Sequence, residues 1–276
     1  MELHVTQMTI DRGVGIIRLN RPKRGNSWTT RMNAEYRWLM AEFDANPDVK
    51  VIVVTGSGNQ FCVGADTKAL DHYSESDENY VDSFKKDLLA TPGFGVRPEY
   101  DHELIWQWGL QKTVIAAING ACAGIAVALA AYCDLRYAAE GAKLTTSTPR
   151  LGLPAEFGLS WILPRIVGLT HSADILLSGR VFIANEAHRM GFLNDVLPRE
   201  DFETRILTIA RSLAESTSPL ATKTAKRQLY GDLMRQDPGA AIEDSRELMG
   251  QLMREPDFAE ALLSMKEKRP PAFTGR

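Results

Sequence analysis

Apolar and polar positions along this chain follow two different periods, and the balance between them changes near residue 200. Before that point, short apolar runs alternate with amphipathic stretches. His4–Thr9 and Val14–Leu19 flank Asp11-Arg12-Gly13, the pattern of a β-hairpin. Met32, Tyr36, Leu39, Met40 and Phe43 recur at helical spacing over about Thr30 to Asn46, and Ser27 or Thr29 is placed to cap that helix. Val51–Val54 and Thr113–Ile118 are nearly unbroken apolar runs rich in β-branched residues, which suits strands buried on both faces. Lys143–Thr148 and Phe192–Leu197 read as further strands, and Leu159–Val167, Ser172–Ser178 and Ala184–Met190 as helices, with Gly168 and Gly191 where helices end. Beyond 200 the stretches 202–215, 218–231 and 239–265 all carry the helical period. The chain therefore reads as an α/β core over 1–200 followed by a helical region over 201–276. No tandem repeat is legible at the level of residues.

The segment from Thr113 to Arg136 organises this core. After the strand, Asn119-Gly120 signals a turn. Ala121–Tyr132 is almost wholly small or apolar, which predicts a helix buried on all sides. Cys133–Arg136 restarts an extended segment. Small residues at the turn allow a ligand close to the backbone, and free N–H groups at the helix start favour an anion or a developing oxyanion. The same pattern equally describes a helix packed tightly on a sheet. Upstream, Gln60–Asp66 contains Gly64, which frees the backbone for unusual dihedrals. Asp66 or Thr67 can cap a helix starting near Lys68. The Gly56-Ser57-Gly58 turn is not followed by the glycine spacing of a dinucleotide fingerprint.

Residues 71–110 depart from this order. They run from an acidic stretch through a Pro- and Gly-rich one, an irregular excursion of the kind that forms lids and binding loops. His72 and His102 in it are candidate bases but read foremost as surface residues, and Trp106 and Trp108 as core or interface rather than as the walls of an aromatic acyl pocket.

With 276 residues, 44% hydrophobic and 24% charged, the chain has enough apolar mass for a sizeable core. A formal charge of −3 gives no electrostatic footprint for nucleic acid. Cys62, Cys122 and Cys133 have no metal-binding or disulfide spacing and sit in apolar runs, so reduced core thiols and a cytoplasmic setting are expected. The first residues lack the charged and apolar regions of a signal peptide, and no apolar run reaches the length of a membrane span.

Four segments together resemble the crotonase superfamily, the enoyl-CoA hydratase/isomerase fold. They are Leu19–Trp28 (LNRPKRGNSW), Val51–Leu70 (VIVVTGSGNQFCVGADTKAL), Val114–Ala138 (VIAAINGACAGIAVALAAYCDLRYA) and Arg150–Gly168 (RLGLPAEFGLSWILPRIVG). Asp257–Phe273 resembles the family's terminal helix. The resemblance implies a crotonase-like ββα spiral core with a C-terminal helical trimerisation region, and assembly as a homotrimer or as a hexamer of paired trimers. It also implies an acyl-CoA enzyme of lyase or isomerase class that stabilises a thioester enolate in a backbone oxyanion hole. Coenzyme A enters as part of the thioester substrate, with no prosthetic group and no metal.

By the same resemblance the two oxyanion donors are the N–H groups of Ala65 and Ile125. Lys23, Arg24, Asp66, Lys68 and Lys268 match the positions that bind coenzyme A; for each, the bland reading is a solvated surface charge. Typical hydratases of the family carry two catalytic glutamates. Here those positions hold Ala128 and Thr148, so the pair that delivers a proton and activates water is absent. Glu156 remains, matching the catalytic aspartate of dienoyl-CoA isomerases and the nucleophilic aspartate of chlorobenzoyl-CoA dehalogenases. An apolar loop should raise its pKa and suit it to proton transfer; otherwise it caps the helix at Leu159 or pairs with a base. Arg150 is placed to orient it or to form a structural salt bridge. Isomerisation through Glu156 is the leading expectation. Hydrolase- or dehalogenase-like chemistry and non-catalytic acyl-CoA binding are the alternatives.

Overall fold

The computed structural model describes residues 1–66 and 100–275. Strands β1 (Thr6–Asp11) and β2 (Val14–Leu19) form the expected hairpin, with Arg12 and Gly13 both at positive φ in the turn. Helix α1 (Thr30–Ala45) follows, and its cap is Thr29, whose hydroxyl accepts from Met32 N at 3.1 Å. Its predicted apolar face is fully buried. Strand β3 (Val51–Gly56) leads to β4 (Gln60–Cys62), and β5 (Thr113–Ile118) to β6 (Ala121–Ala123). Next come α2 (Ile125–Ala131), β7 (Leu135–Ala139), β8 (Lys143–Thr145) and α3 (Leu159–Ser178). The core closes with β9 (Phe182–Ile183), α4 (Ala184–Arg189) and β10 (Asp195–Leu197). Four helices end the chain: α5 (Phe202–Ser216), α6 (Pro219–Leu233), α7 (Pro238–Leu252) and α8 (Pro256–Glu267).

The strands build two sheets. The larger has the order β1-β2-β3-β5-β7-β10 and is parallel except for the β1–β2 pair; the smaller has the order β4-β6-β8-β9, with β4, β6 and β8 parallel. The pairs β3–β4, β5–β6 and β7–β8 each lay one strand in the large sheet and the next in the small one. This is the spiral of ββα turns that the resemblance implies. One face of the large sheet packs on α1 and α2. The other is covered by Phe202, Ile206, Ala210 and Ala214 of α5, which lie on Val14, Ile16, Val51 and Val53.

Two expected elements differ. Ala121–Tyr132 is not one helix: Ala121–Ala123 pairs as a strand with β4 and β8, and Gly124 breaks the chain before α2 begins. A short run of small apolar residues is compatible with either state, and the neighbouring strands decide it. The stretch 239–265 is two helices, because Pro256 cannot extend α7 and starts α8 instead. The two helices expected at 159–167 and 172–178 do lie on either side of Gly168, where φ is 75° and ψ 165° and the chain kinks within Leu159–Ser178.

Helix α6 is fastened to the core by a buried polar cluster. Lys226 Nζ donates to Asp134 Oδ2 at 2.8 Å, and the Tyr230 hydroxyl donates to Asp134 Oδ1 at 2.6 Å. Asp134 Oδ2 also accepts from Val114 N at 2.7 Å, tying α6 to the start of β5. Among the described residues, no helix is long and apolar enough to cross a membrane, and no group of His, Cys, Asp and Glu is placed to hold a metal ion. All three cysteines are buried free thiols.

Candidate functional site

The small sheet sets out the candidate site. Strands β4 and β6 run side by side, with Cys62 opposite Cys122. Two residues further on, Gly64 faces Gly124, and after them come Ala65 and Ile125. Both glycines have positive φ, 97° and 54°. A Cβ on Gly64 would stand 3.1 Å from the Ala123 carbonyl oxygen, and one on Gly124 would stand 3.9 Å from Gly64 Cα. The two strand ends therefore approach as closely as bare backbone allows. Gly124 N donates to Thr145 O at 3.0 Å, which adds β8 to the group.

This arrangement leaves two backbone donors free. Ala65 bridges to Trp28 through its neighbours: Trp28 N donates to Gly64 O at 2.7 Å and Asp66 N to Trp28 O at 3.0 Å. The Ala65 N–H itself has no acceptor among the described residues, and neither has that of Ile125, the first residue of α2. Unpaired backbone N–H groups of this kind, beside neighbouring strands, are the donors that stabilise charge developing on an oxygen.

Glu156 lies in the irregular stretch before α3. It is half-buried, and its carboxylate has no hydrogen-bond or ion partner among the described residues. Desolvation alone raises its pKa above the ordinary carboxylate value. The capping role is ruled out, because α3 is capped by Gly158 without a side-chain bond. Arg150 does not reach Glu156; its Nε donates to Ser178 O at 3.2 Å. The loop is held instead from α2: the Tyr132 hydroxyl donates to Phe157 O at 3.1 Å.

The two positions that lack carboxylates are dry. Ala128 in α2 is fully buried. Thr148 is 2% exposed, and its Oγ1 has no hydrogen-bond partner among the described residues. Trp106 and Trp108 belong to the core, as expected, and His102 is exposed.

The other predicted binding residues are scattered. Lys23 and Arg24 are exposed on a short 3-10 turn and have no carboxylate partner among the described residues. Their loop abuts the first strand end, since Val63 N donates to Gly25 O at 3.1 Å. Asp66 is buried; its Oδ2 accepts from Arg21 Nη1 at 2.8 Å and from Ser27 Oγ at 2.9 Å, so it braces the same loop. Lys268 is exposed at the end of α8, in the left-handed conformation. Lys68 and His72 lie outside the described residues. The sequence reading missed Tyr132, Arg21 and Ser27. The signal for Tyr132 was present: it is the one residue of Ala121–Tyr132 that carries a hydroxyl.

Relatives match this chain from end to end. Residues 9–276 match the family described as Enoyl-CoA hydratase/isomerase. A probable enoyl-CoA hydratase of Rhodobacter capsulatus is 31% identical over 276 residues, covering 100% of both chains. The 1,2-epoxyphenylacetyl-CoA isomerase of Escherichia coli is 28% identical over 269 residues, covering 97% of each. The solved enoyl-CoA hydratase of Bacillus anthracis superposes with a TM-score of 0.87 at 26% identity, covering 99% of this chain and 100% of the other. The spiral of strands, the matched length and these relatives agree, and the chain belongs to the enoyl-CoA hydratase/isomerase family, whose members act on CoA thioesters.

Proposed function

We propose that this protein isomerises a double bond, or carries out closely related proton-transfer chemistry, in an acyl-CoA, with Glu156 as the acid/base group. The carrying observation is the Glu156 carboxyl: half-buried, without a partner among the described residues, and raised in pKa by desolvation. A carboxyl in that state takes and returns a proton near neutral pH more readily than an exposed one. The Ala65 and Ile125 N–H groups then donate to the thioester carbonyl oxygen. Glu156 removes a proton from the carbon next to the thioester or from its vinylogous position, and the electron pair moves onto that oxygen to give an enolate. The same carboxyl returns the proton to the other carbon. Mass is unchanged, one carboxyl suffices, and no water is added. Ala128 and Thr148, standing where two carboxylates would otherwise be, favour this over hydration. The Escherichia coli relative named for isomerisation is in keeping with it.

Lys23 and Arg24, exposed beside the first strand end, suit the phosphates of coenzyme A. Assembly as trimers is part of the same proposal. Met249, Met253, Phe258, Leu262 and Met265 form an exposed apolar face on the last helices, and a groove of about 430 Å³ runs between α6, α7 and α8.

The test is turnover of a panel of short enoyl-, dienoyl- and aryl-acyl-CoAs, followed by absorbance and mass. The expected result is a product of unchanged mass, absent with Glu156→Gln while CoA binding survives. A gain of one water, release of free CoA, or full turnover by Glu156→Gln contradicts the proposal. Binding without any product leaves a carrier of acyl-CoA in its place.

A further inference from the structure

Resting on the role proposed for Glu156, we infer that Tyr132 is a positioning residue: its hydroxyl fixes the Glu156–Gly158 backbone and so sets where the Glu156 carboxyl stands. The Glu156 side chain has no hydrogen-bond or ion partner among the described residues, so among these its backbone holds it in place. That backbone is unusual. Phe157 has φ 50° and Gly158 φ 70°, two successive left-handed residues, the first of which carries a side chain. A non-glycine residue stays in that region only where its surroundings hold it. The Tyr132 hydroxyl is at hand to do so, donating to Phe157 O at 3.1 Å. The contact is so close that a Cβ on Gly158 would stand 2.5 Å from the Tyr132 oxygen, so the loop can approach only with glycine there.

Tyr132 is itself held on all sides. It is 3% exposed at the end of α2, and Trp108 meets it edge to face at 5.6 Å between ring centroids. Trp108 in turn stacks on Tyr230 of α6 at 4.2 Å and 10°, and the Tyr230 hydroxyl is bound to Asp134. The tyrosine thus stands on a stack that runs from the C-terminal helices into the core. Among the described residues, the Glu156 backbone is held by Leu159 N, which donates to Glu156 O at 2.9 Å, and through the Tyr132 contact to the next residue. Burial pushes the Tyr132 phenol up to about 12, so it stays protonated as a donor. Arg150 is bonded to Ser178 O, and Arg165 lies over the Trp161 ring at 4.0 Å. Among the described residues, no charged group contributes to the raised pKa of Glu156.

The experiment is Tyr132→Phe, compared with wild type and Glu156→Gln on the substrate that the panel identifies. The ring stack remains, so the variant is expected to fold and to melt within about 2–4 °C of wild type, as befits one hydrogen bond in a chain of this size. Without the hydroxyl, the loop relaxes and the carboxyl gains water. We expect kcat to fall about ten- to a hundred-fold, the scale of a misplaced catalytic group, with KM changed less. The acid limb of the kcat–pH profile should move down towards the ordinary glutamate range, and amide exchange at residues 157–159 should quicken. A purely structural tyrosine would lower the melting point and leave the acid limb in place. An unchanged acid limb with wild-type kcat, or collapse of the fold, overturns the inference while a dead Glu156→Gln keeps the proposed function standing. Full turnover by Glu156→Gln overturns both.

Discussion

Proline in place of Ile125 removes one backbone N–H while asking little of the fold, which makes it a direct probe of the paired donors. Ile125 is the first residue of α2, where proline is well tolerated because the N–H has no helical acceptor and φ is already near the proline value. The N–H is unpaired here, so no hydrogen bond is lost. The preceding residue is also compatible: Gly124 has φ 54° and ψ −122°, the mirror image of the extended backbone that residues before proline prefer. The remaining cost is the smaller side chain at a site that is 4% exposed, about 1–2 kcal/mol by analogy with truncations of buried isoleucine. Loss of one preorganised donor costs about 2.7–4 kcal/mol in the transition state, or about 10²–10³ in kcat. The control is Ile125→Val, which trims the side chain and keeps the N–H. Steady-state turnover with a thermal melt on each variant separates the two effects. Ile125→Val should stay within about ten-fold of wild type, and Ile125→Pro should fall a further hundred-fold or more. Similar rates for the two variants would refute the assignment of Ile125 as an oxyanion donor.

Three further outcomes follow from the same geometry. Glu156 has a raised pKa, so between the unfolded value of about 4.3 and its folded value the native chain holds a proton that the unfolded chain releases. Stability therefore falls as pH rises through that window. Glu156→Gln should melt higher than wild type at neutral pH, with the gap closing as pH falls towards about 4; an equal or lower melting point at neutral pH would contradict the desolvation. Thr148 Oγ1 is buried without a partner among the described residues, and an unmet hydroxyl of this kind costs about 1–3 kcal/mol. Thr148→Val should accordingly raise stability by about 1 kcal/mol in urea titrations, and a loss of that size would show that the hydroxyl is bonded. Charge reversal at Lys23 and Arg24 should weaken CoA binding about ten-fold at low salt, the worth of two partly screened phosphate contacts, and less at high salt. Calorimetry giving an unchanged affinity would place the phosphates elsewhere.

Local pattern made much of the fold legible. The hairpin, α1 and the buried β3 and β5 each carry their period within one window, and the caps Thr29 and Gly191 stand where the chain turns. Of the second sheet only β8 was readable, inside the expected strand Lys143–Thr148; β4 and β6 are three residues each and exist only through their neighbours. Its strand β6 was for that reason absorbed into a helix. In the candidate site, Gly64 and Gly124 were visible as residues, but their closeness comes from the β4–β6 register across 60 positions. Glu156 could be singled out from its apolar loop. That it lacks a partner among the described residues, and that Tyr132 grips the next residue from 25 positions away, follows from packing of α2 against α3 and from no local signal.

The most direct test of the enolate account is exchange at the α-carbon of a saturated acyl-CoA in D2O, read by mass spectrometry. It needs no knowledge of the final product, because enolate formation and return of a solvent deuteron suffice. The account predicts enzyme-dependent gain of deuterium by wild type, loss of that gain in Glu156→Gln, and strong slowing in Ile125→Pro. Absence of exchange in a wild-type protein that binds the thioester, or undiminished exchange in Glu156→Gln, would contradict it.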